Sequence, residues 1–200
     1  MTYRRKDSYY RRARAEGYRA RSAYKLAELS ERFRLLRRGD LVVDLGAWPG
    51  GWLQVALERV GPEGTVFGVD MVEVEPLRAP NVHIVTGDLR QPATVRELRT
   101  RIGRPADVVL SDMAPKLTGV GGTDESRSAE LVDAVVAALP ILLRPGGHLL
   151  TKVFMGPGYD ATLRTLRGLF SEVRVTRPEA TRHGSAELYA FGRDHRPEKT

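Results

Sequence analysis

The chain predicts a doubly wound α/β domain, with a mostly parallel seven-stranded sheet and an antiparallel last strand. Three observations point there. Short apolar runs of strand length alternate with helical patterns from about residue 41 onward. Four of those runs close on a charged residue, Asp44, Asp70, Asp112 or Lys152, so the charges gather at the carboxyl ends of the strands, where open α/β sheets bind ligands. The last two runs have no helix between them, and the final strand is therefore expected to reverse.

The chain opens on charge. Residues 1–38 carry 13 Lys and Arg against 4 Asp and Glu, whereas the other 162 residues carry 19 against 21. Almost all of the net +7 therefore belongs to one N-terminal segment on a near-neutral body. Its arginines are interleaved with Tyr3, Tyr9, Tyr10, Tyr18 and Tyr24, a pattern suited to contacting phosphates and stacking on bases. A solvated tail, or one drawn to anionic lipid, is the plainer alternative. The first helix is expected from a Ser22 cap to about Arg34, with Leu26, Leu29 and Phe33 at helical spacing.

Four buried parallel strands follow: Leu41-Val-Val-Asp-Leu, Thr65-Val-Phe-Gly-Val-Asp, Val82-His-Ile-Val and Ala106-Asp-Val-Val-Leu-Ser. Asp124–Leu143 is the strongest helical stretch, with Leu131, Val132, Val135, Val136, Leu139, Leu142 and Leu143 on one broad face and Pro145-Gly-Gly as its stop. His148–Phe154 reads as the fifth strand, 160–170 as a helix, and Glu172–Thr176 and Glu187–Phe191 as the last two strands. The glycine-rich stretch from Ala114 to Thr123 reads as a mobile substrate lid.

Asp44-Leu-Gly-Ala-Trp-Pro-Gly-Gly-Trp joins the first strand to the next helix. Gly46, Gly50 and Gly51 let backbone approach a ligand, and a helix N-terminus there can receive a carboxylate or phosphate. Asp70 lies 20 residues beyond Gly50, the spacing of an acid that binds ribose hydroxyls. The loop lacks the G-x-G-x-x-G spacing of dinucleotide sites, which disfavours a nicotinamide oxidoreductase. Asp88, in Thr86-Gly-Asp-Leu, is placed to accept from an adenine amino group. Acids after strands one, two and three suit S-adenosylmethionine, a sulfonium with an amino-acid tail, ribose and adenine. The expected class is then a Rossmann-like class I methyltransferase.

Lys25, Asp112, Lys152 and Glu187 are four polar residues in positions that α/β domains keep apolar or in plain loops. Charges aimed into a crevice are costly unless paired. Two amines with two carboxylates suit removal of a proton from a weakly acidic hydroxyl. Cysteine is absent, which excludes a thiol nucleophile, and the four histidines show no metal-ligand spacing. No run approaches the roughly 18 apolar residues of a membrane span, and the start has no apolar signal core.

Arg19-Ala-Arg-Ser-Ala-Tyr-Lys-Leu, the Asp44–Trp52 loop, Val109-Leu-Ser-Asp-Met-Ala-Pro, Thr151-Lys-Val-Phe and Ser185-Ala-Glu-Leu-Tyr occur in an order that resembles the FtsJ/RrmJ family of ribosomal-RNA ribose 2′-O-methyltransferases. The resemblance covers about residues 17–192. It implies a Lys-Asp-Lys-Glu tetrad on Lys25, Asp112, Lys152 and Glu187. It also implies methyl-donor contacts from Gly50, Trp52, Asp70, Asp88 and Asp112. Two positions depart from the family pattern: Trp48 stands where a small residue is usual, and Lys116 where bacterial members carry asparagine. The N-terminal stretch from Tyr9 to Tyr18 is more like archaeal and eukaryotic members, some of which modify tRNA.

With a ribose 2′-hydroxyl as the acceptor, Lys152 is expected to act as base. Lys25 would favour the neutral amine and orient the ribose, Asp112 would hold Lys152 and border the donor, and Glu187 would position the second amine or the ribose. The expected organisation is an RNA-contacting segment over 1–21, a methyltransferase domain over 22–192 and a short tail over 193–200. A cytoplasmic monomer without metal, acting on a uridine of large-subunit (23S) rRNA, is the expected protein. A tRNA anticodon-loop methyltransferase and a non-catalytic RNA-binding protein of the same fold are the alternatives.

Overall fold

The computed structural model describes residues 8–114, 121–156, 158–182 and 184–197. Among the described residues, six helices surround one seven-stranded sheet. The elements run α1 (Ser8–Ala15), α2 (Ala23–Phe33), β1 (Leu41–Leu45), α3 (Gly51–Val60), β2 (Thr65–Asp70), β3 (Val82–Thr86), α4 (Pro92–Ile102), β4 (Ala106–Ser111), α5 (Gly121–Leu142), β5 (Leu143–Phe154), α6 (Tyr159–Leu169), β6 (Phe170–Thr176) and β7 (Glu187–His195). Across the sheet the order is β3-β2-β1-β4-β5-β7-β6. The first five strands pair in parallel, and β7 enters antiparallel between β5 and β6.

Strand alternation sorts the core into two layers. Val42, Val108, Leu110 and Leu150 face α2 and α3, where they meet Leu26, Leu29, Leu53 and Phe33. Their neighbours Val43, Val109 and Leu149 face α4, α5 and α6, against Leu98, Leu139, Leu142 and Leu166. Both faces of the central strands are covered, which is why β1 reads as five consecutive buried residues, Asp44 among them. Phe33 stacks on Phe191 with ring centroids 4.5 Å apart, fixing α2 against β7.

Several boundaries differ from those the sequence predicts. Pro145-Gly-Gly does stand beyond the helix, but the chain is already extended from Leu143, and the β4–β5 register shifts between Ala106 and Val108 to take in the extra residues. Strand β7 continues to His195, so Arg193–His195, expected in a tail, pair with β6. Ser22 stands at the start of α2 but makes no side-chain cap; its own backbone is already helical. The lid expected over Ala114–Thr123 lies mostly outside the described residues, as do Lys116, Tyr3 and His183.

The N-terminal segment is folded from Ser8 onward and bonded to the body. Gln54 of α3 accepts from the Arg19 amide at 2.8 Å and donates to the Gly17 carbonyl at 2.8 Å. Arg21 donates to the Ala180 carbonyl at 2.5 Å. No helix among the described residues is long and apolar enough to cross a membrane.

Candidate active site

Strand register brings the polar residues together. Ser111 pairs with Thr151, so the next residues, Asp112 and Lys152, are neighbours at the carboxyl ends of β4 and β5. Lys152 pairs in turn with Tyr189 on β7, and Glu187 lies two residues before Tyr189, on the same face of the strand. That face is the one α2 covers, and Lys25 on the first turns of α2 reaches down to it.

Two ion pairs result. Lys152 Nζ lies 2.7 Å from Asp112 Oδ1 and also donates to the Asp112 carbonyl at 3.0 Å. Lys25 Nζ is ion-paired with Glu187 Oε1. The pairs are cross-linked. Tyr189 donates its hydroxyl to Asp112 Oδ1 at 2.6 Å and accepts from Lys25 Nζ at 3.3 Å, while Lys152 stands 4.0 Å from Glu187 Oε2. Both lysines are buried, yet every charge has a partner, which is the condition for burying them at all. Tyr189 is fully buried, and burial, followed by the Asp112 and Glu187 carboxylates, pushes its phenol well above the ordinary value. It stays a neutral donor. The sequence reading missed Tyr189 as a site residue; an offset of two from Glu187 on a strand was the signal that could have found it.

One strand over, the situation inverts. Asp44 is buried at the carboxyl end of β1, and neither carboxylate oxygen has a hydrogen-bond partner among the described residues. Burial above all, then the carboxylates of Asp112 and Asp70, push its carboxyl well above the usual range. A cluster of three acids, one of them an orphaned carboxylate, fits a cationic ligand such as an ammonium or sulfonium.

The loop beyond Asp44 explains its glycines. Gly46 has φ of 88°, and a side chain there would meet Met113 at 2.3 Å. Gly50 has φ of 108°, and a side chain would come 2.9 Å from the Arg19 guanidinium. Gly51 opens α3 against Ala20, where a side chain would be held at 3.1 Å. Asp70 secures the loop: its Oδ2 accepts from the Trp48 amide at 2.9 Å and its Oδ1 from the Val72 amide at 2.8 Å.

Two expected donor contacts take a different form. Trp52 is buried, and its indole donates to the Ser22 carbonyl at 2.9 Å, so only its backbone at the start of α3 is placed for a ligand. Asp88 carries its own cation: Arg90 donates to both carboxylate oxygens, at 3.0 and 2.8 Å, and holds the carboxyl below its usual range. The tyrosine-and-arginine start is likewise engaged with itself. Tyr24 lies 5.7 Å from both Tyr9 and Tyr18, with Arg12 over its ring. Tyr18 donates to Glu58 and Tyr24 to Glu16, and burial with those carboxylates holds both phenols up at about 12. These three rings form a structural cluster, not a row of open stacking faces.

A parallel sheet closed by an inserted antiparallel strand, with a glycine turn after β1 and acids at successive strand ends, defines a class I methyltransferase. A solved structure of fibrillarin from Aeropyrum pernix with bound S-adenosyl-L-methionine has this fold, with a TM-score of 0.59 at 21% identity over 86% of this chain and 76% of that one. Residues 18–195 match the FtsJ-like methyltransferase family, and the chain belongs to that family. It is similar to the ribosomal RNA large subunit methyltransferase E of Azoarcus sp., 47% identical over 95% of this chain and 92% of that one. The protein of the same name from Methanobrevibacter smithii is 42% identical over 96% and 92%. A crystal structure from Plasmodium falciparum, described as a ribosomal RNA methyltransferase, superimposes with a TM-score of 0.80 at 27% identity, over 89% of this chain and 98% of that one.

Proposed function

We propose that this methyltransferase modifies a ribose 2′-hydroxyl of large-subunit ribosomal RNA, with S-adenosylmethionine as methyl donor. The carrying observation is the closed set Lys25, Asp112, Lys152, Glu187 and Tyr189. It is a proton-handling cluster beside an acidic crevice that suits a cation. The names of the relatives supply the RNA.

When bound, the donor supplies an electrophilic methyl group on a sulfonium. The residues that would hold it are Asp44 and Asp70, with the backbone of Gly46, Gly50 and Gly51, the Trp52 amide, Asp112 and Asp88. Lys152 is assigned as the base that accepts the 2′-hydroxyl proton at Nζ; Asp112 holds that nitrogen in place. Lys25, fixed by Glu187, is the second amine, and it orients the ribose. Tyr189 locks the Asp112 oxygen that faces Lys152.

The N-terminal segment, residues 1–21, is assigned to RNA contact on its charge, with Arg11 and Arg14 exposed on α1. A uridine is the proposed nucleotide. The test incubates the purified protein with labelled methyl donor and either deproteinised 23S rRNA or intact large subunits, followed by mapping of ribose methylation. Label at a single 2′-oxygen of the rRNA is expected. Label confined to tRNA, or to a base, would overturn the assignment.

A further inference from the structure

Three of the five tyrosines that the sequence offers as stacking faces, Tyr9, Tyr18 and Tyr24, are spent on one another, which leaves the question of where this enzyme presents an aromatic face to RNA. The described residues hold one such face beside the basic segment. Trp48 is 56% exposed, although it sits in the loop after β1 with its amide tied to Asp70. Its indole lines a cleft of about 510 Å³ together with Arg14, Tyr18, Arg19, Glu73 and Glu75, and no tetrad member lines that cleft. The volume falls in the range of small-ligand sites.

The walls of the cleft are held, while its functional groups are free. Arg19 fixes the cleft by donating to the carbonyls of Pro49, Glu75 and Pro76, which clamps the N-terminal segment, the glycine loop and the stretch after β2 into one rim. Glu73 and Glu75 are exposed on either side of buried Val74, so both carboxylates face outward. Arg14, Glu73 and Glu75 have no side-chain partner among the described residues. An open indole face, an uncommitted guanidinium and two uncommitted carboxylates match the face of a nucleotide's base, its phosphate and the edge of its base. The base stacks on the indole, the arginine meets the phosphate, and the carboxylates accept from amino or imino N–H groups of the base edge.

The geometry points to a second nucleotide subsite: an unpaired nucleotide of the RNA substrate, outside the methylated one, stacks on Trp48 in the cleft between the N-terminal segment and the Asp44–Trp52 loop. This rests on the reading of the protein as an rRNA methyltransferase and adds a positioning and specificity element to it. A base held there registers the strand from the opposite side of the glycine loop to the tetrad.

The chain's two tryptophans make the test direct, because Trp52 is buried with its indole bonded while Trp48 is exposed. Red-edge tryptophan emission therefore reports on Trp48. Titration with deproteinised 23S rRNA is expected to quench that emission, and titration with S-adenosylmethionine to leave it in place. In the full-length enzyme, Trp48→Ala should raise KM for rRNA about tenfold, while Kd for S-adenosylmethionine stays within about twofold and Trp48→Phe retains most of the affinity. RNA retained on the protein with unchanged Trp48 emission would overturn the subsite and leave the rRNA reading intact. Quenching by the methyl donor, with its Kd weakened in Trp48→Ala, would assign the cleft to the donor and overturn the subsite too. A wild-type protein that binds no rRNA would overturn both.

Discussion

Two carboxylates at neighbouring strand ends, one buried and one partly so, have opposite surroundings. Asp112, after β4, accepts from Lys152 and Tyr189; Asp44, at the end of β1, accepts from nothing. The first belongs to a set of charges already matched within the chain, so it costs little to keep and is held rigidly. The second is a desolvated acid whose counter-charge is not part of the protein. Chemistry that must be in place before substrate arrives is built on satisfied groups, whereas a site for a cation is left unsatisfied so that the ligand completes it.

The sharpest way to break this contrast is to remove one side of the satisfied set. Asp112→Ala strands the buried Lys152 beside a Tyr189 that has lost its acceptor. It should cost about 3–5 kcal/mol of stability in denaturant unfolding and abolish methyl transfer. A variant as stable as the wild type would mean that the pair is not buried as described.

Asp44→Asn tests the other side. Losing a charged partner for the donor's ammonium or sulfonium should weaken S-adenosylmethionine binding by about 1.5–3 kcal/mol, read by calorimetry, with little change in the unliganded fold. Its pH behaviour is distinctive. Asp44 has a folded pKa raised above its unfolded value, so its contribution to stability is fully present below the unfolded pKa and is lost as pH rises through the folded one. Wild type should therefore gain stability from this group on acidification from neutral pH, and Asp44→Asn should lack that gain. Donor affinity should move the opposite way, falling as Asp44 protonates.

His148 and His195 give a counter-trend to be subtracted. Burial lowers both below the usual histidine value, so their stability is kept at higher pH and lost as pH falls through about 6.5 and below. His148→Asn should blunt that acid loss in a Tm series.

Tyr189→Phe is a smaller change, since it removes one hydroxyl but leaves both ion pairs. About 1 kcal/mol of stability and a severalfold drop in kcat with KM for the donor unchanged are expected. The smallest effect belongs to the exposed arginines: Arg11→Ala should lower the slope of log affinity against log salt for rRNA by about 0.7. An unchanged slope would remove α1 from the RNA contact.

How legible this contrast is in the sequence depends on what each group touches. Strand ends are set by local apolar runs, so Asp44, Asp112 and Lys152 can be placed from the sequence, and alternation alone then puts Glu187 on the face of Lys152's partner strand. Tyr189 was missed because an aromatic on a strand reads as core, and it is core, apart from one oxygen. The tyrosine cluster of the N-terminal segment is hidden for the converse reason: composition cannot show that Glu16 and Glu58 take the hydroxyls of Tyr24 and Tyr18. Trp52 and Trp48 lie in one motif, yet one is sealed beneath α2 and the other open, a difference decided by the turn at Gly50 and the clamp from Arg19. Such long-range pairings, 30 to 57 residues apart for Arg19, leave no periodic trace.

The central claim, that Lys152 takes the proton from a ribose hydroxyl, is tested most directly by single-turnover methyl transfer to 23S rRNA with Lys152→Ala protein. The folded variant should bind S-adenosylmethionine at wild-type affinity and transfer its methyl group slower by a factor of about 10² or more. Transfer at near wild-type rate by a folded, donor-loaded Lys152→Ala enzyme would contradict the account.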